Sequence, residues 1–273
     1  MVSLFAHGVF PSRKDIVLKD LLIWALLAGA CLFSLTARAS DSNFEIHVFP
    51  SETVDAGRTM VELHSNMAIS GTTQKTDGVL PTQHVLNESL EVAHGLTSWF
   101  ETVFYTAASV QPGMDAQYVG NRIMPRIRVP EQWDWPVGLG LGTAVTYQRR
   151  SYSTDTWTLQ IVPIIDKRWG PWYLAANPAV GRALKGEDTS RGWEFSPSVK
   201  VSYDITRKVA AGFEYYASLG PLGGFYTFQK QQQLFSVVDL NLGPAWEFNF
   251  GAGVGLTGAS DAFVVKMILG HRF

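Results

Sequence analysis

Cysteine is nearly missing from this chain: of 273 residues, Cys31 is the only one. A fold stapled by intramolecular disulfides is therefore excluded. Charge is scarce as well, at 17% of residues against about 25% in ordinary soluble domains. The 22 basic residues do not outnumber the 24 acidic ones, so the electrostatic footprint of a nucleic-acid binder is missing too. Beyond residue 40 no stretch offers the roughly 18 uninterrupted apolar residues of a membrane helix, and no run of helical period stands out. What the chain does have is 12% aromatic and 46% hydrophobic residues, without a hydrophobic run to account for them.

The one long apolar run, "LLIWALLAGACLFSLT" from Leu21 to Thr36, follows Arg13, Lys14 and Lys19 and precedes "ARAS", with small residues at Ala37 and Ala39. Basic, apolar and small-residue regions in that order make a secretory signal, and residues 1–39 are expected to be its extent. An uncleaved anchor helix is the alternative. Lipoprotein processing at Cys31 would call for leucine where Ala28 stands. Cleavage after Ala39 leaves 18 of the 22 basic and 22 of the 24 acidic residues, a formal net charge of −4, and no cysteine. Residues 40–56, "SDSNFEIHVFPSETVDA", then form a periplasmic lead, either without fixed structure or folded up to narrow the lower mouth of whatever follows.

Period two dominates the remainder. The final segment, "FVVKMILGHRF", places Phe263, Val265, Met267 and Leu269 on one phase and ends on Phe273. Twelve such segments can be marked between residues 58 and 273, each near the 9–11 residues that a tilted strand needs to cross a bilayer. Links between them alternate in length. "GTTQKTDGVLPTQH" and "GPLGGFYTFQKQQ" are long and polar, whereas "GLTS", "RWGP", "ITR" and "GPA" are tight. "PEQWDWP" is the exception, aromatic and of medium length. An even number of strands with long loops on one side and short turns on the other predicts a twelve-stranded antiparallel transmembrane β-barrel over 57–273.

Charge decides which face meets lipid. Val61, Leu63, Met67, Phe100, Phe104, Trp157, Phe213, Trp246, Phe248 and Phe250 share one phase. The other carries Glu62, His64, Glu91, Glu101, Arg122, Arg126, Arg128, Glu194, Lys200, Glu214, Glu247, Asn249 and Lys266. A charge facing lipid would cost several kcal/mol, so this second set is expected inside. Those residues are the candidate pore lining, Asn249 apart. Arg122, Arg126 and Arg128 on one strand are either an anion-attracting ladder at a constriction or a brace paired with Glu101, Asp166 or Glu194. "GLGLG" (138–142) and "GAGVG" (251–255) lack the spacing of a phosphate loop and read as small lumen-facing residues that leave space or permit curvature. Phe273 falls on the lipid phase at the level of an aromatic girdle, as an assembly signal would.

The stretches "AHGLTSWFETVFY" (93–105), "KVSYDITRKVAAGFEYYASLGPL" (200–222) and "GVGLTGASDAFVVKMILGHRF" (253–273) resemble outer-membrane proteins of the meta-pathway phenol-degradation transporter family. That resemblance implies a bacterial outer-membrane barrel moving small molecules, aromatic ones among them, and it brings no catalytic residue. The expected partners are outer-membrane lipid, the barrel-assembly machinery and a small solute, with no cofactor, no metal and no nucleic acid. The expected function is a channel for passive passage of small solutes, aromatic or anionic. A closed structural or adhesive barrel is the second reading and a barrel-embedded hydrolase the third. Against the last, His64 and Ser65 are neighbours on a strand and must face opposite sides.

Overall fold

Alternating side chains make strands, and a sheet of such strands must take its apolar face out of water and pair or cover its edges. The computed structural model describes residues 44–224 and 230–273 of the chain, so the expected signal segment lies outside the described residues. The strands are β1 (Thr59–Ser70), β2 (Leu86–Thr97), β3 (Phe100–Val110), β4 (Gln117–Arg128), β5 (Gly138–Gln148), β6 (Asp155–Trp169), β7 (Trp172–Gly186), β8 (Glu194–Asp204), β9 (Val209–Ala217), β10 (Gly220–Pro221), β11 (Gln232–Asn241), β12 (Trp246–Gly255) and β13 (Phe263–Arg272). Twelve are barrel staves. β10 is a two-residue pairing that returns onto β8.

Every stave pairs antiparallel with its two neighbours, and the pairings β8–β9 and β1–β13 leave no edge. The closed twelve-stranded antiparallel barrel is therefore the observed fold. At the seam, Leu63 stands opposite Leu269 and Ser65 opposite Met267. The amide of Phe273 donates to the Thr59 carbonyl at 2.8 Å, so the last residue of the chain is part of the closure. Strand bounds follow the period-two segments closely. β6 and β7 each run 15 residues and form a taller hairpin than their periodicity suggests.

The two phases separate as their chemistry requires. Leu90, Phe104, Ile123, Leu141, Phe213 and Phe250 are exposed on the outer face. Their neighbours Glu91, Val103, Met124 and Glu214 are buried inside. Prolines in mid-strand have no N–H to give a ladder. Pro125, Pro163, Pro178 and Pro197 all take the outer phase, and Pro178 stands directly opposite Pro197. At the short-turn end, Trp99, Trp133, Trp135, Trp169, Trp172, Trp246 and Phe273 are exposed around the rim. That is the belt of amphipathic rings found at a membrane interface.

Phe273 closes the rim by its backbone and by its ring, which meets His271 at 4.4 Å between centroids, with Trp246 on the other side of His271 at 4.3 Å. Deleting Phe273 removes two backbone bonds with Thr59 at the seam, each worth about 1 kcal/mol net, and an aromatic contact of about 0.5–1.5 kcal/mol. The purified truncated barrel should lose its compact, fast-migrating form at a lower temperature in heat-modifiability electrophoresis. An unchanged transition temperature would mean that the terminal residue does not hold the seam.

The occupied lumen as candidate functional site

A barrel of twelve strands encloses more space than wall side chains fill unaided. Here residues 44–56 of the lead supply the rest: they run inside the barrel and not beneath it. Of the two fates the sequence allowed for the lead, folding up is the observed one, and it reaches far beyond the lower mouth. The lead leaves the lumen at the short-turn end. There Gly57 donates to the Gly95 carbonyl at 2.7 Å, and the Gly95 amide donates to Arg58 at 3.1 Å. Any side chain at position 95 would collide with the carbonyls of Val54 and Asp55, so glycine is required by close approach. At its other end Phe44 packs with Val119 and Tyr152, near the long loops.

Backbone inside a tube has no strand partner of its own, and wall side chains take that role. Asn177 on β7 bonds Phe49 twice, accepting from its amide at 2.7 Å and donating to its carbonyl at 3.0 Å. Asp166 on β6 accepts from the Ser51 amide at 2.8 Å and its hydroxyl at 2.7 Å. Glu101 on β3 accepts from the Val54 amide at 2.6 Å. Lys266 on β13 donates to the Ile46 carbonyl at 2.9 Å, and Ser89 on β2 to that of Phe44 at 2.8 Å. Phe44, Ile46, Val48 and Phe49 are all buried, each contributing about 1.5–3 kcal/mol by leaving water. Phe49 also lies beside two guanidinium groups, Arg122 at 5.9 Å and Arg126 at 5.4 Å.

The residues singled out as pore lining fall into several groups. Glu62, His64 and Glu91 sit together on β1 and β2 beside the lead, with His64 Nε2 at 3.0 Å from Glu91 and 3.6 Å from Glu62. Glu101 pairs with Arg126 at 3.0 Å, and Arg126 also donates to the carbonyls of Pro50 and Glu52. Lys200, Glu214 and Lys266 form one cluster with Asp239: Lys200 reaches Glu214 at 3.1 Å and Asp239 at 2.8 Å, and Lys266 pairs with Glu214. Asn249 joins that cluster through Asp239 at 2.7 Å. Arg128 and Glu247 lie at the lower rim, paired with Glu131 and Arg272.

Of the three acids offered as partners for the arginine strand, Glu101 is used and Asp166 and Glu194 are not. Asp166 holds the lead instead, and Glu194 approaches Lys230 and Arg191 near the loops. Arg122 takes Glu45, a lead residue that pairing among wall residues alone could not suggest. The glycine rows do not leave open space either. Met124 lies over Gly142, the Phe235 ring over Gly253 and Lys266 over Gly251. His64 and Ser65 do face apart, Ser65 bonding Glu88 at 2.7 Å on the outer phase.

The lead lies against the wall formed by β13 and β1–β4, and a cavity of about 830 Å³ remains on the other side. Phe44, Glu45, His47 and Phe49 form its lead side; β5–β9 with β11 form most of the rest, and Ser89 on β2, Tyr105 and Ala107 on β3 and Arg122 on β4 reach it past the lead. Its lining includes Asp155, Asp188, Arg191 and Lys230 near the long loops and descends to the level of Asn177. Below that, the bonds of Phe49 and Ser51 to Asn177 and Asp166 tie the lead across to β6 and β7. Of the predicted pore residues only Arg122 and Glu194 line this cavity; Tyr105, Gln160 and Tyr216 line it without having been foreseen. Their signal was weak, since tyrosine and glutamine on an inner phase fit a packed barrel as well as a pore.

No family model matches the sequence, and no curated protein matches it at a significant level. Solved structures do match. The COG4313 outer membrane channel from Pseudomonas putida F1 is 11% identical, with a TM-score of 0.56, covering 84% of this chain and 100% of its own. The KdgM porin is 8% identical with a TM-score of 0.52, covering 78% of this chain and 99% of its own. The NanC porin is 9% identical with a TM-score of 0.52, covering 77% and 97%. The fold is that of bacterial outer-membrane barrels. Its apolar outer belt and aromatic rim are the surface that such a membrane demands.

The paired bonds of Asn177 give a direct check on how the lead is held. Asn177→Ala strands a buried amide and a buried carbonyl, each at about 1–3 kcal/mol. In a Cys31→Ser, Thr53→Cys background, thiol labelling of the folded barrel should speed up about tenfold or more, since 1.4 kcal/mol corresponds to about a factor of ten. Equal rates with and without Asn177 would show that the lead is held elsewhere.

Proposed function

We propose that the protein is an outer-membrane channel for small solutes, entered from the long-loop end and closed below by its own lead. The observation that supports this reading is the cavity: it borders the long loops at one end and has the lead as its floor. Its volume of about 830 Å³ lies within the range of about 300–1,000 Å³ typical of small-molecule sites. Tyr105, Tyr216, Phe44 and Phe49 supply ring faces, and Arg122, Arg191 and Lys230 supply cationic groups. That combination suits a small molecule with an aromatic ring and an anionic group, in keeping with the resemblance to phenol-degradation transporters. Phe273, at the seam and on the aromatic rim, suits recognition by barrel-assembly machinery.

A second reading, a closed structural barrel, is favoured by one specific observation. Most of the lumen charges are bound to each other or to the lead, and a fully braced lumen passes nothing. The two readings part on removal of the lead. A chain lacking residues 44–56 should form pores in planar bilayers with conductance at least several-fold above that of the full chain. Liposomes carrying it should swell in small aromatic carboxylates sooner than in neutral sugars of similar size. A truncated barrel that folds, shown by heat-modifiable migration, yet conducts no better than the full chain would favour the structural reading.

Orientation has its own check. A protease site inserted within 72–80, in the longest fully described loop, should be cut on intact cells, and one at the turn 170–171 should not. Equal cleavage at both sites would reverse the assignment of the cavity mouth.

A further inference from the structure

Between lead and wall lies a group of side chains that the channel reading leaves unexplained. Glu62 on β1 stands directly opposite Glu91 on β2, both inside the lumen and 5% and 4% exposed. Like charges directly opposite on a sheet destabilise it. Among the described residues the basic partner of either carboxylate is His64 alone, wholly buried between them. The lead then brings a second imidazole to the same spot, with the rings of His47 and His64 5.8 Å apart and tilted at 56°. No hydrogen bond joins them, and Nδ1 of each ring is buried without a partner. Two bases face each other over Glu62 and Glu91, with Glu247 beside Glu62 as well, and among the described residues no basic side chain other than His64 offsets the first two acids.

A shared cation would. One ligand atom from each of His47, Glu62, His64 and Glu91 can be chosen so that all four lie within 4.8 Å of one another. Two imidazole nitrogens and two carboxylate oxygens are a donor set suited to zinc and its first-row neighbours, whereas magnesium and calcium prefer oxygen alone. Tetrahedral ligands at about 2.1 Å from zinc are about 3.4 Å apart, so the side chains would have to draw in by up to about 1.4 Å. The ion's two positive charges match the two carboxylates. His47 also lines the cavity, which gives the ion a way in. We infer that these four residues form a site for one divalent transition-metal ion that fastens the lead to the barrel wall. Composition and spacing did not reveal it, because its ligands come from two strands and the lead and no two of them form a familiar motif.

The test is metal content of the full chain, purified without a histidine tag, stripped with chelator and dialysed against zinc or magnesium. One zinc per folded barrel and no magnesium is expected. His47→Ala, which alters the lead and leaves both strands untouched, and His64→Gln should each weaken zinc binding by at least about tenfold. His84→Ala, at an exposed loop position, should leave it unchanged. Should His64→Gln fail to reach the compact form, His47→Ala decides alone. Absence of stoichiometric zinc in the parent protein, or equal zinc in the His47→Ala variant, overturns the site. Because the readout is bound metal and not conductance, this inference stands or falls separately from the channel.

Discussion

Everything inside this barrel depends on one requirement: a polypeptide that enters a closed tube must find partners for its peptide groups. The wall cannot offer backbone, since each strand has spent its own N–H and C=O groups on its neighbours. It offers side chains. Asn177 imitates one rung of a sheet by both accepting from and donating to Phe49. Asp166 and Glu101 accept, and Lys266, Arg126 and Ser89 donate. These partners come from β2, β3, β4, β6, β7 and β13, so the lead is bound on many sides at once. The polar inner phase is thus less a wet lining than a receptor for a peptide.

That function for the inner phase explains its alternation of size. Where the lead or a large side chain needs room, the wall gives glycine. Gly95 lets the lead pass out, and Gly251 and Gly253 leave space for Lys266 and the Phe235 ring. Phe235 is fully buried with Ile46, Val237 and Val264 in one apolar cluster. Lys266 sits above that cluster and can be buried because Glu214 and the Ile46 carbonyl take its charge and its protons. Removing either acceptor would leave a buried cation unpaired, which is costly. The lead is therefore structural for the wall as much as the wall is for the lead.

The barrel itself was legible because period two, turn chemistry and the phase of the charges are local signals repeated twelve times. Strand ends, the inward set and the part played by Phe273 in closure can all be read from neighbours in sequence. The lead could not be read in this way. Phe44, Ile46 and Val48 alternate as a strand does, but the partners of the lead are side chains scattered from residue 64 to residue 266. Its contacts have no period. The arginine partners failed for the same reason: a search confined to the wall finds Glu101 for Arg126 and has no way to find Glu45 for Arg122. What the sequence did contain was an unexplained apolar alternation in a segment with no strand left to pair with.

The three arginines of β4 show how lead and wall charges are coupled. Arg128 is satisfied at the rim by Glu131 and the Ser98 carbonyl, independently of the lead. Arg126 divides its bonds between Glu101 and two lead carbonyls, and Arg122 pairs with Glu45 of the lead while reaching Gln160 on the wall. With the lead in place the ladder is a brace. Were the lead withdrawn, Arg122 would lose its carboxylate and Arg126 its two carbonyls, while Glu101 would lose the Val54 amide. Arg122 alone would then face the cavity without a carboxylate, since Arg126 keeps Glu101 and Arg128 keeps Glu131. Of the two alternatives that the sequence suggested, the brace is the arrangement observed, with the lead completing it at Arg122 and the wall and rim completing it at Arg126 and Arg128.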